Sequence, residues 1–291
     1  MRYRRIVLGI VFTVSATFAG TDALAQRGRG GAPDRVLPAR ELRSGLYLIT
    51  GGGANSMLQE TTDGLVLVDT KNPGDEQYDG LMAAIRVVSS DPIRYVLNTQ
   101  HHPDHVGNNQ RFIDAGAEIL ALDLLAEHMA SDPRTQDIPG RPTETFSGVV
   151  NVFEFGGATI EQHFYGRGHT GGDTITYFPD AQIIMVSDMM TDTSPIVDWA
   201  NGGSWVEWQQ VLEGVLALDF DWAIQGRGEP KTRSEVEAFK AKVDTVIARA
   251  NAAIANGAGR DTLAAAVQTD DLEPWNLNDQ FFTNLYDELA D

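Results

Sequence analysis

The chain has 291 residues, 42% of them hydrophobic, which is enough to bury one large core or two small ones and too apolar for a disordered chain. It contains no cysteine, which excludes disulfides, cysteine-ligated zinc, iron–sulfur clusters and a thiol nucleophile. Lys and Arg total 22 against 41 Asp and Glu, and the resulting charge of -19 disfavours a nucleic-acid partner.

The first 25 residues have the pattern of an export signal. Residues 1–5 are basic, residues 6–20 form a short apolar stretch, and the A-L-A sequence at 23–25 is a small-residue cleavage motif. Residues 26–40, rich in Gly and Arg, are predicted to be a flexible leader. We therefore expect a periplasmic or secreted protein with no integral membrane segment after signal removal; a retained N-terminal anchor is the alternative.

The rest of the chain alternates between strand and helix patterns. In the first half, apolar runs predict strands at 46–49, 56–60, 65–69, 93–97 and 117–120, and apolar residues at helical spacing predict helices at 76–88 and 122–130. The Pro- and Gly-containing segment 131–147 is predicted to be a long loop.

The second half repeats this mixture. Strands are predicted at 149–155, 158–165, 174–178, 182–186 and 221–224. The sequences Ser204-x-x-Glu207 and Thr232-x-x-Glu235 predict capping boxes that open two helices. Since no linker divides the halves, we predict one α/β (α+β) domain over 41–291, with layered sheets covered by helices and further helices at the C-terminal end.

Histidines cluster directly after the strand predicted at 93–97. His101, His102 and His105 share one loop with Asp104, at a strand end where α/β folds commonly place their sites. Imidazoles and a carboxylate on one loop have little structural use unless a cation satisfies them. The cluster predicts a metal site, and the alternative is a solvated polar loop.

The segment Thr99-Gln100-His101-His102-Pro103-Asp104-His105 resembles the T-H-x-H-x-D-H signature of the metallo-β-lactamase superfamily. Further matches follow in the family's order: a strand ending at Asp69, Gly168-His169-Thr170, Ser187-Asp188, and Gln225-Gly226-Arg227-Gly228 where the family has P-G-H-G. The resemblance spans about residues 45–230. It implies an αββα four-layer sandwich with the site between the loop edges of its two sheets.

The resemblance also implies two zinc sites. Carried over, the first site comprises Gln100, His102 and His169. The second comprises Asp104 and His105, with Asp188 shared between the two.

Two positions depart from the family pattern. Gln100 replaces a histidine; its carbonyl oxygen is a weaker zinc ligand than imidazole, and without it His102, His169 and Asp188 remain as a three-ligand site. Arg227 replaces the final histidine, and because arginine stays protonated it has no lone pair for a metal. We therefore expect one tightly bound Zn2+, a weak or empty second site, and an ion pair between Arg227 and the two aspartates.

A zinc ion with three protein ligands activates water for attack on an electrophile. The predicted catalytic residues are Asp104 and Asp188, which orient the water or accept its proton, and Arg227, which stabilises the oxyanion. We expect an exported zinc-dependent hydrolase of a small-molecule ester, lactone, thioester or amide-like bond, with β-lactams among the possibilities. The alternative is a pseudoenzyme, a small-molecule-binding module with a lost or weakened metal site.

Three tryptophans leave a further choice open. Trp199, Trp205 and Trp208 follow the strand predicted at 182–186, and they either line an apolar substrate pocket or pack the helix opened by Ser204. Asp69 is expected to hold a ligand-bearing loop rather than to bind metal itself.

Overall fold

The computed structural model of the protein describes residues 34–43 and 45–290. The export signal predicted at 1–25 and most of the predicted leader lie outside these residues. The end of the leader packs on the domain: the Leu37 N–H donates to the Thr50 carbonyl over 2.8 Å, and Val36 packs beside a buried cluster. The ordered fold therefore begins before residue 41, because Val36 has apolar surface to bury. No helix in the described part of the chain is both long and apolar enough to cross a membrane.

The first of two sheets is built from the first half of the chain. Among the described residues it contains seven strands, which lie side by side in chain order. They are β1 (Arg40–Arg43), β2 (Leu46–Ile49), β3 (Ser56–Thr61), β4 (Gly64–Val68), β5 (Ile93–Leu97), β6 (Glu118–Leu122) and β7 (Glu144–Phe146). The strands β1 to β4 are antiparallel, and β4 to β7 are parallel, so that β4, β5 and β6 end at the same edge.

The second sheet is built from the second half. Its strands are β8 (Val150–Phe155), β9 (Ala158–His163), β10 (Ile175–Phe178), β11 (Ile183–Ser187), β12 (Trp222–Gln225) and β13 (Lys231–Thr232). Their order across the sheet is β13-β12-β11-β10-β9-β8. β11 and β12 are parallel, which brings the segments that follow them to one edge.

Helices cover the outer face of each sheet. α1 (Asp75–Val88), α2 (Pro103–Val106), α3 (Asn109–Asp114) and α4 (Asp123–Ser131) belong to the first half. α5 (Trp205–Ala217), α6 (Arg233–Ala255), α7 (Leu263–Ala266) and α8 (Asp279–Ala290) belong to the second half.

Three main apolar clusters separate the four layers. One lies between the sheets and includes Leu48, Met57, Val68, Met185 and Ile224. A second joins the first sheet to its helices through Leu67, Leu81 and Phe112. A third joins the second sheet to its helices through Val186, Trp208, Val243 and Leu285. The predicted αββα sandwich is confirmed.

One of the two predicted capping boxes forms completely. The Thr232 hydroxyl accepts from the Glu235 N–H, and the Glu235 carboxylate accepts from the Thr232 N–H over 2.8 Å. Ser204 likewise accepts from the Glu207 N–H, but the Glu207 carboxylate binds the Arg167 guanidinium over 2.8 and 2.9 Å instead of closing the box. The Ser204 N–H donates instead to the Gly168 carbonyl over 2.9 Å, so it does not need the Glu207 carboxylate.

The segment predicted as a loop over 131–147 contains a strand. β7 pairs in parallel with β6, with Leu120 opposite Glu144 and Leu122 opposite Phe146. Three residues are too few for a period-two pattern, and the strand exists because β6 offers an unpaired edge.

Trp205 and Trp208 pack the helix α5 against the rest of the domain, and Trp199 packs on Phe281, with ring centroids 5.6 Å apart. Trp205 and Trp208 are fully buried and contact each other edge to face, with ring centroids 5.5 Å apart. Trp205 also packs on Trp275 and Phe281, at 5.9 and 4.9 Å between centroids. α5 is therefore anchored to the C-terminal helices by an aromatic cluster.

Replacing Trp205 by alanine should lower the free energy of unfolding by about 3–5 kcal/mol, because it leaves a large cavity in a buried cluster. Trp222→Ala is the matched control, since 41% of the Trp222 side chain is exposed. Its cost should stay near 1 kcal/mol or below. Urea denaturation of both variants in the same metal-free buffer measures the difference, and equal costs would contradict the packing role.

Candidate metal centre

The polar residues singled out in the sequence meet at one edge of the sandwich. Asp69 follows β4, the histidine cluster follows β5, Asp188 follows β11 and Arg227 follows β12. Parallel strands end at the same edge of a sheet, so neighbouring strands deliver these side chains together. The two sheets are joined at this edge by the Asn55 N–H, which donates to the Gly226 carbonyl over 2.7 Å.

His102 and His169 form the centre of the site. Their ring nitrogens, Nδ1 of His102 and Nε2 of His169, lie 3.1 Å apart, and both side chains are almost fully buried. The opposite nitrogen of each ring has an acceptor: His102 Nε2 lies 2.8 Å from Asp198 Oδ2, and His169 Nδ1 lies 2.6 Å from the Ile196 carbonyl.

These outer partners determine the tautomers. The Ile196 carbonyl only accepts, so Nδ1 of His169 carries the proton. At Nε2 of His102, the Asp198 carboxylate 2.8 Å away accepts, whereas Arg134 Nη2 3.1 Å away can only donate. The shorter contact is to an ionised carboxylate, which favours a proton on Nε2 and a lone pair on the inner Nδ1. Burial, opposed by the Asp198 hydrogen bond, lowers the pKa of His102 to about 3, so His102 does not carry a second proton at neutral pH. Two facing lone pairs repel unless a cation lies between them.

Asp188 completes this arrangement. Its Oδ2 lies 3.6 Å from His169 Nε2, and one nitrogen or oxygen atom from each of His102, His169 and Asp188 lies within 4.8 Å of the other two. Ligands 2.0–2.1 Å from a tetrahedral zinc ion stand about 3.3 Å apart. The donor set and its spacing therefore fit a zinc ion held by His102, His169 and Asp188.

Gln100 is at the site but is not oriented as a ligand, contrary to the expectation from sequence. Its carbonyl oxygen accepts from the His102 N–H over 2.9 Å, which fixes the amide, and its nitrogen donates to Asp188 Oδ2 over 3.0 Å. An amide nitrogen has no lone pair available for a metal. Gln100 in this arrangement orients Asp188.

Arg227 forms the ion pairs expected from sequence. Its Nη1 donates to Asp188 Oδ1 over 2.9 Å, and its Nη2 donates to Asp104 Oδ2. Burial alone would raise the pKa of both carboxyls, but the Arg227 charge and neighbouring imidazoles outweigh it and hold the pKa of each below its ordinary value. Gly226 makes room for this contact, because a Cβ there would lie 1.8 Å from Asp188 Oδ1.

His105 is held on the far side of the same carboxylates. Its Nδ1 lies 2.7 Å from Asp69 Oδ2, and its Nε2 lies 3.4 Å from Asp188 Oδ2. Burial disfavours the charged ring, but the charges of Asp69 and Asp104 and the Asp188 contact outweigh it and raise the pKa of His105 to about 10. Without metal, a proton therefore occupies this imidazole at neutral pH. Asp69 positions the loop as expected, accepting from Thr99 N–H and hydroxyl over 2.9 and 2.6 Å.

A buried lysine, not anticipated from sequence, lies near Asp69 and Asp104. Lys71 is fully buried and donates to the Ile49 and Ala54 carbonyls, each over 2.6 Å. Burial lowers the pKa of Lys71 to about 7, although Asp69 and Asp104 oppose the shift. The only sign of Lys71 in the sequence was a charged residue shortly after the strand β4, and such a residue does not indicate that its side chain is buried.

A second arginine, also missed in the sequence, occupies another acidic cluster. His101, His102, Asp132 and Asp198 form a group with metal-like spacing, but the Arg134 guanidinium lies within it. Arg134 Nε donates to Asp132 over 2.9 and 3.0 Å, and Nη2 donates to Asp198. The third such group, Asp104, His105 and Asp188, is paired with Arg227. In each of these two groups a guanidinium therefore contacts both aspartates, whereas in the group of His102, His169 and Asp188 it contacts Oδ1 of Asp188 and leaves Oδ2 on the side of His169.

A cavity of about 410 Å³ opens beside this centre. Met190 and Ile196 give it an apolar wall, Thr191, Thr193 and Ser194 supply hydroxyls, and His169, Asp188 and Arg227 form its base. A volume of this size holds a small organic molecule next to the candidate metal position.

The fold and this centre define a sandwich protein with a candidate metal site built from histidines and an aspartate. A family model described as the metallo-beta-lactamase superfamily matches residues 49–227. The chain belongs to the metallo-β-lactamase superfamily, whose members are mostly metal-dependent hydrolases that bind metal ions, usually zinc.

Similar proteins of known name differ from one another in activity. The chain is 28% identical to the 2,4-dinitroanisole O-demethylase subunit alpha of Nocardioides sp. (strain JS1661) over 225 residues, 77% of this chain and 67% of that protein. It is 29% identical to metallo-beta-lactamase IND-1 of Chryseobacterium indologenes over 159 residues, 52% of this chain and 62% of that enzyme. The chain thus spans less than two thirds of IND-1.

Solved structures share the fold at low identity. A metallo-beta-lactamase from Pontibacter korlensis superposes with a TM-score of 0.62 at 18% identity, covering 72% of this chain and 99% of that one. The inverting sec-alkylsulfatase Pisa1 from Pseudomonas sp. superposes with a TM-score of 0.70 at 17% identity, covering 86% of this chain and 49% of that one. At these identities the likeness concerns the fold.

The raised pKa of His105 predicts a pH-dependent contribution to stability. An unfolded histidine titrates near pH 6.5, so below that pH both states hold the proton and the stabilisation is complete. Between 6.5 and about 10 only the folded state holds it. The advantage of the wild type over His105→Gln should therefore shrink by about 1.4 kcal/mol per pH unit across this range.

Urea unfolding of metal-free protein at several pH values measures this difference. The free energy of unfolding must be compared between wild type and His105→Gln, because the lowered pKa of Lys71 makes stability rise with pH over the same pH range. His163→Gln is the control: burial lowers the pKa of His163, so its difference from the wild type should stay constant above pH 6.5. A constant gap for His105→Gln would show that His105 is neutral in the fold.

Proposed function

We propose that this protein is a zinc-dependent hydrolase with a single metal ion, held by His102, His169 and Asp188. The observation that carries the proposal is the pair of imidazole nitrogens, Nδ1 of His102 and Nε2 of His169, that face each other over 3.1 Å beside the Asp188 carboxylate. Asp104 and His105, expected from the resemblance to hold a second zinc, are engaged by Arg227 and by a proton. A guanidinium replaces the second metal ion in this proposal.

The protein's own residues then have defined tasks. Zinc, when bound, supplies the Lewis acidity that makes water a nucleophile at neutral pH. Asp188 and Asp104 have lowered pKa values, so they stay ionised and orient a water molecule rather than keep its proton. Arg227, at the cavity base, has donors beyond those used by the carboxylates and stabilises negative charge that develops on the substrate.

The substrate is proposed to be a small molecule with an ester, lactone, thioester or amide-like bond. β-Lactams remain candidates because two of the similar proteins are named metallo-beta-lactamases. The names of two others indicate an aryl methyl ether and a sec-alkyl sulfate as substrates. A panel of nitrocefin, aryl esters, a lactone, 2,4-dinitroanisole and a sec-alkyl sulfate, with and without zinc, separates these classes.

The pairing of Arg227 with both carboxylates also favours one alternative function. A guanidinium held by Asp104 and Asp188 leaves fewer groups free to handle protons, as in a module that binds a small molecule without turnover. Zinc binding without activity towards any member of the panel would favour this alternative. Activity that a chelator abolishes and zinc restores would exclude it.

Metal content tests the ligand assignment. The wild type should bind one zinc ion per chain in native mass spectrometry, and His102→Ala should lose both the metal and any activity found in the panel. His163→Ala is the control, because His163 lies on β9 and is bonded to Glu161 and Tyr165. Two tightly held zinc ions in the wild type, or activity unaffected by His102→Ala, would contradict the proposal.

Arg227→His tests whether the arginine replaces a metal ion. A neutral imidazole at position 227 restores a third ligand beside Asp104 and His105, and it removes the competing charge. The variant should bind a second zinc ion, which native mass spectrometry detects. Arg227→Gln, which removes the charge without offering an imidazole, should not bind a second zinc ion tightly. A second ion in neither variant would contradict the replacement.

We also propose that the chain is exported and cleaved after Ala25, because residues 1–25 have the three-part pattern of a signal peptide. Intact-mass analysis of protein from a bacterial periplasmic fraction should show a chain beginning at Gln26. A basic-to-acidic change at Arg4 and Arg5 should reduce export. Full-length protein confined to the cytoplasm would contradict the interpretation.

A further inference from the structure

One loop provides the acceptors for the outer ring nitrogens of both candidate metal histidines, His102 and His169. The segment between β11 and α5, residues 188–204, carries Asp188, the Ile196 carbonyl that accepts from His169, and the Asp198 carboxylate that accepts from His102. It is pinned to the opposite loop by the Asp198 N–H, which donates to the His169 carbonyl over 2.7 Å. The same segment, from Met190 to Ile196, forms a wall of the 410 Å³ cavity.

Arg134 links this loop to Asp132. Its guanidinium donates to Asp198 Oδ2 and to both oxygens of Asp132. Asp132 is itself 2.9 Å from the Nε2 of the fully buried His101. Arg134 does not line the cavity and is not a candidate metal ligand, so it acts on the centre only through Asp198, whose carboxylate accepts from the outer nitrogen of His102.

We propose that Asp198 and Arg134 are positioning residues that couple the cavity wall to metal binding. The inference rests on the proposed function, since it needs a metal held by His102 and His169. Asp198 fixes the ring and tautomer of His102, and Arg134 fixes Asp198 together with the loop that carries it. Because binding equilibria are reciprocal, metal binding stabilises the cavity wall, and a ligand that orders the wall tightens metal binding.

The competing explanation is that Asp198 and Arg134 form a surface ion pair that only stabilises the fold. The Arg134 side chain is 37% exposed, and such pairs are common. The pair Arg260–Asp287, with both side chains 49% exposed, provides a matched control because its residues are absent from the centre and the cavity. A fold-stabilising pair shifts the unfolding of the metal-free protein but leaves zinc affinity unchanged.

Zinc affinity, measured by competition with a chromogenic chelator at fixed pH, separates the two roles. Asp198→Ala should weaken zinc binding about 10- to 100-fold. Asp198→Asn should weaken it less, because its amide oxygen still accepts from His102 Nε2. Arg134→Met should weaken binding about 10-fold, and Arg260→Met should leave it unchanged. The double variant Arg134→Met/Asp198→Asn should be no weaker than the poorer single variant, since Arg134 acts through the Asp198 charge.

A second measurement follows the cavity wall itself. Zinc added to metal-free wild type should slow amide hydrogen exchange across residues 189–198, and Arg134→Met should reduce that slowing. Wild-type zinc affinity in Arg134→Met and in both Asp198 variants would overturn the coupling while leaving the proposed function intact. A wild type that binds no zinc would instead overturn the proposed function. If Asp198→Ala fails to fold, the other two variants still decide the question.

Discussion

Two imidazole nitrogens facing each other across 3.1 Å, each with its lone pair, set the requirements for the rest of the site. Two nitrogens that both accept repel each other, and a cation between them removes the repulsion. The outer nitrogens are held by Asp198 and by the Ile196 carbonyl, which turns the inner nitrogens towards each other. Two buried side chains are thus oriented for a cation.

The backbone around the site also departs from ordinary geometry. Of the four non-glycine residues with positive φ among those described, three adjoin the centre: Asp69, Lys71 and Ser187, with φ of 60°, 68° and 52°. Residues other than glycine rarely adopt a backbone conformation with positive φ, and the residues that do are concentrated at functional sites. The ends of β4 and β11 are therefore bent to deliver Asp69 and Asp188, at some cost in conformational energy.

Guanidinium groups offset part of the negative charge around the centre. Arg227 contacts Asp104 and Asp188, and Arg134 contacts Asp132 and Asp198 behind His102, so each single positive charge faces two carboxylates. An arginine supplies charge and directional donors but no open coordination position. The proteins similar to this chain include a demethylase subunit, β-lactamases and an alkylsulfatase, so the sandwich by itself does not decide the chemistry.

Short-range patterns were sufficient for much of the fold. β2 and β5 have the predicted bounds, α1 begins one residue earlier than predicted, and the capping box at Thr232 forms. The spacing of His102, Asp104 and His105 likewise predicted that these side chains lie together after β5, and the chemistry of arginine argued against Arg227 as a ligand. Alternation of apolar residues, capping and ligand type depend on neighbours a few residues away, so the sequence displays them.

The tertiary structure alone decided the contacts between distant segments. The amide of Gln100 turns its nitrogen to Asp188, 88 residues away, and Arg134 reaches Asp198 across 64 residues. Nothing local marks Arg134, Asp198 or the buried Lys71, and the roles of Trp205 and Trp208 stayed open until the C-terminal helices were seen to pack on them. Hydrogen-bond partners, and with them tautomers and pKa values, depend on which loops meet at the edge of the sandwich, and that is fixed only when both sheets have packed.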